Sequence, residues 1–577
     1  MSPSVAERLS IVKEERRNSK KAFLKRYETL KQDISSYIPH YREIAEVILP
    51  RRIRYLYDRS RNRGEKMNQK IINSTGARAL RILSAGMMSG ISSPARPWFR
   101  LQVPFPALMD NEDVRNWLHA VEESMRQVFA KSNIYNTLQL TYRDLGAWGI
   151  SAMFVEEDDI DTIRGYSYPI GSFVAQNSSR LTIDTVYYEC WMTVGQVAER
   201  FGLDNASLNL KRMWQDNRHD DPVRILHCVE PNEVYEAGQL GKKGKRYRSV
   251  WLEYESSDNA VDGIPLHEGN GFHEFPAMVP RWDVSADDVY GSSPGMEALG
   301  DIKALQQLEK RKLSALDKIL NPPMVAPVSL QREKRSQLAG DVTFIQMSPG
   351  GQKFEPAYQV DSKVVFVREE IAHHEQRVLQ QFYADLFLMI SNMDQAQPIT
   401  AREVDERHEE KMLQLGPVLE RLHDELLTPL IDRTFEIMAR KGMLPPAPPV
   451  LQGMELRVEF ISILAQAQKL LGTISLERLV AFVGNTVAVF PEAKDKLDID
   501  EAIDDYAGML GTKPNLVVTG DKLAAKRAAR AQQEKMSAMA QMAKPLNDAS
   551  GAASNLASAD QGQPEVLNGL VGALQGQ

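Results

Sequence analysis

Apolar residues spaced three and four apart dominate this chain, and that spacing predicts helices. Leu9, Val12, Phe23, Tyr27, Leu30 and Ile34 set the pattern over 7–48 among mixed charges. The stretch "STGARALRILSAGMMSGISSPARPWFRL" (Ser74–Leu101) continues it over 74–92. Here Gly76, Ala77, Ser84, Ala85, Gly86 and Ser89 leave little side chain over much of the surface. Each interior glycine costs a helix about 1 kcal/mol, so their use points to close approach by another backbone, within the subunit or across an assembly. Pro94 and Pro97 end the helix, and "WFRLQVP" begins an extended segment.

From about 141 to 285 the pattern changes to short β-branched and aromatic runs separated by Gly, Pro, Asn and Asp. "SAMFVEED", "LTIDTVYYECWM", "PVRILHCVEP", "RSVWLEYES" and "PAMVPRWDV" predict a mostly antiparallel β region, interrupted by a helix at "TVGQVAERFG". Helical spacing returns at 293. Ser293 can cap, Pro294 suits the first helical position, and Met296, Leu299, Ile302, Leu305, Leu308, Leu313, Leu316 and Ile319 run on to Asn321-Pro322-Pro323. A helix of that length spans about 38 Å at 1.5 Å per residue. Strand-like pieces follow ("MVAPVSL", "DVTFIQM"), and a second long helix covers 363–390 with Ile371, Val378, Phe382, Leu386 and Met389 on one face. The polar loop Ser391–Thr400 leads through a capping box, Thr400 to Glu403, into a helix over 401–441. Gly416-Pro417 and Thr428-Pro429 are expected to kink it. "PPAPPV" forms a stiff linker, 455–543 reads as helical, and 545–577 reads as disordered. The fold class is α+β, predominantly helical.

Composition narrows the function classes. At 577 residues, 43% hydrophobic and 25% charged, the chain reads as a globular protein of three or four regions. The opening segment is charged throughout and does not read as a signal peptide. Arg78, Arg81 and Arg96 limit the apolar run to 82–91, about half of what a membrane span needs, so the G-x-x-x-G at Gly86–Gly90 is no membrane dimerisation motif. Two cysteines, Cys190 and Cys228, support neither a disulfide framework nor a structural zinc site. Net charge is −7, yet basic residues outnumber acidic ones about two to one over the first seventy positions, most densely at 50–66. That arm is either solvated or a contact for nucleic acid or an acidic partner.

Motifs for catalysis are weak. Gly291–Gly295 ("GSSPG") matches the nucleophile-elbow pattern, but Ser293 is more simply a helix cap. His373-His374 and His408 lack the second histidine of a zinc-protease helix, and "GKKGKRYR" (Gly241–Arg248) has the wrong spacing for a phosphate loop and suits a basic hairpin tip. The expectation is no catalytic, cofactor or metal residue and no enzyme.

Four long stretches resemble the head–tail connector, or portal, family of short-tailed bacteriophages, in the expected order over most of 20–445. They are "STGARALRILSAGMMSGISSPARPWFRL", "DLGAWGISAMFVEED", "FPAMVPRWDVSADDVYGSSPGMEALGDIKALQQLEK" and "ITAREVDERHEEKMLQLGPVLERLHDELLTPLIDRTFEIM". The resemblance implies a portal-type fold. Its parts are N-terminal helices and wing at 1–290, a first stem helix at 291–322, a small α/β clip at 323–362 and a second stem helix at 363–390. A channel loop at 391–399, a wing helix at 400–445, a helical crown at 446–543 and a disordered tail at 544–577 complete it. It further implies a ring, usually a dodecamer, at the capsid vertex of the virion, made in the host cytoplasm. Double-stranded DNA passes through the ring during packaging and ejection. Implied partners are the large terminase subunit, a tail adaptor protein, and major capsid, scaffolding or internal core proteins; no membrane is involved. A uniformly basic channel would hold DNA through counterion release, so only a few basic positions are expected to face it. Candidates near DNA are Lys303, Lys310, Gln395 and Gln397, with a solvated or intersubunit role the alternative for each lysine. On the clip, Arg332, Lys334, Arg335 and Lys353 are candidate docking charges. Alternative readings are an ATP-driven packaging motor subunit, which the lack of a Walker sequence disfavours, and a minor internal or tail structural protein.

Overall fold

The computed structural model describes residues 20–320 apart from 53, 58–68, 106–107, 110 and 255–264, then 324–325, 355–356, 364–392 and 415–461 apart from 452–455. Beyond these it describes short pieces, chiefly 479–486, 496–509 and 523–537. Two compact units divide the chain at Ser475/Leu476. No described helix is long and apolar enough to cross a membrane.

The first unit opens with α1 (Lys20–Ser35) and α2 (Ile38–Val47), so the helical pattern over 7–48 is broken at Ser36-Tyr37, just ahead of Pro39. Pro39 sits in the first turn of α2, where its missing N–H costs nothing. Phe23, Tyr27, Leu30 and Ile34 are the buried stripe of α1, as their spacing predicts. Next come α3 (Thr75–Ile91), β1 (Phe99–Gln102), α4 (Glu112–Lys131) and α5 (Ile134–Trp148). Gly149 ends α5 at φ +75°, a left-handed conformation that a side chain there would strain.

Two antiparallel sheets follow. β2 (Ala152–Asp158) lies between β3 (Thr162–Tyr168) and β9 (Ala277–Met278) in one. The other has five strands in sequence order: β4 (Phe173–Asn177), β5 (Ile183–Thr193), β6 (Pro222–Pro231), β7 (Tyr247–Glu253) and β8 (His267–Glu268). Between β5 and β6 lie α6 (Val194–Phe201), closed by the capping box of Thr193 and Gln196, and α7 (Leu208–Gln215). "GKKGKRYR" forms the turn between β6 and β7, with a 3-10 turn at Lys242–Gly244. Sheet content thus matches the sequence reading, with β3, β4 and β8 added and "PAMVPRWDV" forming a two-residue strand, β9, with isolated bridges at Arg281 and Asp283.

Helices then return. α8 (Pro294–Glu297) runs almost directly into α9 (Leu299–Leu320). β10 (Met324–Val325) pairs antiparallel with β11 (Glu355–Pro356). α10 (Val364–Gln381) and α11 (Ala384–Asn392) replace the single helix expected over 363–390. The break falls at Tyr383, which takes φ +53° beside the buried Phe382.

Residues 415–440 form one rod containing a π-turn at His423–Leu427, followed by α12 (Thr428–Arg440). Pro429 donates no N–H, and its ring would strike the carbonyl four residues back, at Glu425. The wider turn accommodates that conflict, which is the form the expected kink takes. β12 (Arg457–Phe460) comes back to pair with β1. In the second unit, α13 (Ile499–Met509) has Asp500 paired with Arg527 at 2.7 Å.

Candidate functional site

α9 and α10 lie against each other as a helical hairpin. Asp301, near the start of α9, fixes their alignment. Its carboxylate is 2.8 Å from His374 Nδ1 and 3.1 Å from the Arg377 guanidinium, and it accepts from Gln381 Nε2 at 3.1 Å. The opposite ends are tied by the β10–β11 pairing, so the two helices run antiparallel.

α3 fastens this hairpin to the rest of the subunit. A Cβ on Gly76 would stand 2.8 Å from Ile302 Cδ1, and one on Gly86 would overlap the Phe387 ring of α11. Gly76 and Gly86 therefore serve close packing inside the subunit, against side chains rather than the backbone expected, while Ala85 and Ser89 of the same helix are exposed. Ahead of α3, the Gln306 carboxamide oxygen accepts from the backbone N–H groups of Ile72 and Asn73, and its amide donates to the Asn73 carbonyl. Asn73 Nδ2 donates to Glu375 on α10 at 2.8 Å. One loop thus holds both helices at one level.

Lys303 is exposed and ion-paired with Glu43 of α2. Lys310 is exposed further along α9. The other six named positions, Gln395, Gln397, Arg332, Lys334, Arg335 and Lys353, lie outside the described residues.

Ser293 is not a nucleophile in this structure. Its side chain is buried, its hydroxyl donates to the Ala147 carbonyl at 2.8 Å, and it accepts from the Met296 N–H at 3.0 Å. The GSSPG match is a cap that also nails α8 to α5.

Sequence reasoning missed the buried charges that brace the β region. Glu230 on β6 accepts from Arg26 Nη1 at 2.6 Å, Arg248 Nε at 2.6 Å and Tyr187 Oη at 2.5 Å. Glu189 on β5 takes the Tyr27 hydroxyl and the Lys31 ammonium, so α1 is bound to the sheet by two carboxylates. Arg281 is buried against Glu425 in the π-turn and donates to the Leu181 and Asp288 carbonyls. Asp144 on α5 is buried 3.0 Å from Arg52, but neither carboxylate oxygen receives an aligned hydrogen bond. Burial pushes its pKa up to about 6 against the pull of Arg52 and Arg143. A charged residue inside an apolar spacing pattern is the signal that could have found Asp144. The ion pairs of Glu230, Glu189 and Arg281 join residues 18 to 204 positions apart along the chain.

This arrangement is a scaffold: a braced β region carrying a stiff helical hairpin. The chain belongs to the family of bacteriophage head to tail connecting proteins, whose pattern it matches over residues 20–517. It is 44% identical over 557 residues to the portal protein of Salmonella phage epsilon15, covering 96% of this chain and 98% of that one. It is 37% identical to the probable portal protein of Bordetella phage BPP-1, covering 96% and 99%. Among solved structures it resembles a chain from the neck of an empty gene transfer agent particle, with TM-score 0.38 and 13% identity, over 77% of this chain and 91% of that one. As a member of this family the chain is a structural component of the virion, assembled as a ring that meets capsid and tail parts, and is not an enzyme.

Proposed function

We propose that twelve copies close into a ring at one capsid vertex, through which double-stranded DNA is packaged and later ejected. The near full-length likeness to a phage portal protein carries this reading. In it, residues 1–290 are the N-terminal helices and wing, 291–322 and 363–390 are the two stem helices, and 446–543 form the crown. The insert 323–362 is the clip, which docks the large terminase subunit during packaging and the tail adaptor afterwards, using Arg332, Lys334, Arg335 and Lys353. Loop 391–399 brings Gln395 and Gln397 toward DNA, and 400–445 is the wing helix. Major capsid, scaffolding or internal core proteins surround the ring, and the chain is made in the host cytoplasm.

Electrostatics favour this conduit. A DNA duplex carries one charge per about 1.7 Å, so each lysine ring in the bore adds to the hold on passing DNA. The Lys303–Glu43 pair offsets one such ring inside the subunit. Neutral amides at Gln395 and Gln397 can touch phosphates without trapping them.

Negative-stain class averages of the purified full-length protein test the reading. Top views with a central hole wide enough for a duplex are expected; compact particles without a hole at all concentrations would overturn it.

A further inference from the structure

α9 is finished along only half its length. Leu299, Ile302 and Leu305 are buried, while the distal half buries nothing. There Leu313, Leu316 and Leu320 are 53%, 39% and 77% exposed. They continue one seam: positions 302, 306, 309, 313, 316 and 320 alternate steps of four and three, which keeps them on one side of a helix. Ile302 and Gln306 turn that side toward α3 and the loop before it. Glu309 is still largely covered, and beyond it the described residues leave the apolar seam open.

α10 has a matching exposed group on the other side. Phe366 is 65% exposed. It lies nine residues, about two and a half turns, before Glu375, which bonds Asn73 and Thr75 ahead of and within α3. Two and a half turns place Phe366 opposite the α3-facing side. The two apolar groups are also level. Asp301 meets Arg377, and each step forward on α9 is matched by a step back on α10, which brings Leu313 within one residue of the height of Phe366 and Lys310 within one residue of that of Glu369. Lys310 borders the leucine seam, and Glu369 and Glu370 share the start of α10 with Phe366; all three are exposed.

We infer that these two faces are halves of one joint between neighbouring copies: the Leu313–Leu316–Leu320 seam of one subunit receives Phe366 of the next, with Lys310 opposite Glu369. Glu309 within the seam is ion-paired with Lys312 of its own helix, and of the exposed charges Lys310 borders the seam while Glu369 and Glu370 lie beside Phe366, so these borders are opposite in sign. Faces on opposite sides of the hairpin at equal height join head to tail by rotation without rise, which closes a ring rather than a two-fold dimer. Lys310 is thereby assigned to the intersubunit role. The inference rests on the ring reading above and adds which faces meet.

Mixing two variants of the full-length protein tests it. L313E/L316E spoils one face and F366E the other. Because all three side chains are exposed within a subunit, each variant should keep the wild-type thermal midpoint. Alone, each is expected to show at least tenfold fewer rings by negative stain, at a concentration where wild type is fully assembled. Mixed one to one, they retain one intact joint per pair and should give heterodimers by mass photometry, a product that neither makes alone. The charge pair gives a second arm: K310E lowers ring yield, and K310E/E369K restores it. Wild-type yields of rings from both face variants, or mixtures without heterodimers, would overturn the joint while leaving the ring intact. A wild-type chain that never forms rings would overturn the ring itself, and the joint with it.

Discussion

The five-stranded sheet with α1 and the distal half of the α9–α10 hairpin are opposite solutions to the same problem. In the sheet region the buried carboxylates find their partners within the copy: Glu230 has three donors, and Glu189 has a hydroxyl and an ammonium. In the hairpin, Leu313, Leu320 and Phe366 are more than half exposed among the described residues, and Leu316 is 39% exposed. One region is complete as a monomer. The other is a surface whose energetics belong to the assembly, because uncovered apolar area of this kind is stabilised only on association. Substitutions should therefore act on subunit stability in the first region and on ring yield in the second.

The largest effect on the subunit is expected at Glu230. Replacing it with alanine leaves Arg26 and Arg248 facing each other and Tyr187 without an acceptor in a buried site. Breaking a buried ion pair from one side costs about 3–5 kcal/mol; Arg26 is part-exposed and can turn to water, so about 4 kcal/mol is expected. Urea unfolding of the variant against wild type measures it. A loss under 1 kcal/mol would mean the cluster is not the brace described here.

Asp144 gives the next effect, with a pH signature. Its folded pKa, about 6, lies above the roughly 3.9 of an unfolded aspartate. Between these values the folded state binds more protons than the unfolded one, so stability falls as pH rises from about 4 to about 6. Two units amount to at most about 3 kcal/mol. Asp144→Asn removes this contribution, so the difference between wild type and variant should change by that order across the window and be flat below pH 4. His423 works in the opposite direction. Burial holds its pKa down at about 4, so its contribution is present near neutrality and lost as pH falls from about 6.5. The pH profile of Asp144→Asn minus wild type isolates the first group from the second.

Periodicity made the rods legible. Phe23, Tyr27, Leu30 and Ile34 named the buried face of α1, and Ser293-Pro294 marked where the hairpin's first helix begins. Spacing could not show that Tyr383 breaks the second long helix, because a left-handed residue leaves no period to read when apolar residues continue on both sides. Nor could it show that Pro429 is absorbed by a π-turn held by Arg281 and Glu425, since those two meet across 144 residues. The leucines of α9 were legible as a stripe, but a stripe looks the same whether its own chain covers it or not. Exposure, which only the fold supplies, separates Ile302 from Leu316.

Gly86 tests the boundary between the two regions, because α3 joins them. A leucine there would overlap the Phe387 ring, and overpacking of this kind costs about 1–3 kcal/mol. The loss should appear in thermal unfolding of the subunit. A compensating Phe387→Ala in the same chain should recover part of it, since the added side chain then occupies the vacated volume. Two losses that merely add would mean that the helices do not meet at this point.

The smallest expected effect sharpens the comparison most. Leu316→Ser trades an exposed leucine for a polar residue, and surface substitutions of that kind stay within about 0.5 kcal/mol. Measured by urea unfolding at a concentration where the chain is monomeric, Leu316→Ser should be nearly silent. Leu305→Ser, three turns back and fully buried, should cost several times more, because it opens a cavity and buries a hydroxyl. The two leucines belong to one helix and one hydrophobic pattern, so propensity cannot distinguish them. A large monomer penalty at Leu316 would mean that its own chain already covers the seam, and the distal hairpin would then need no neighbour to complete it.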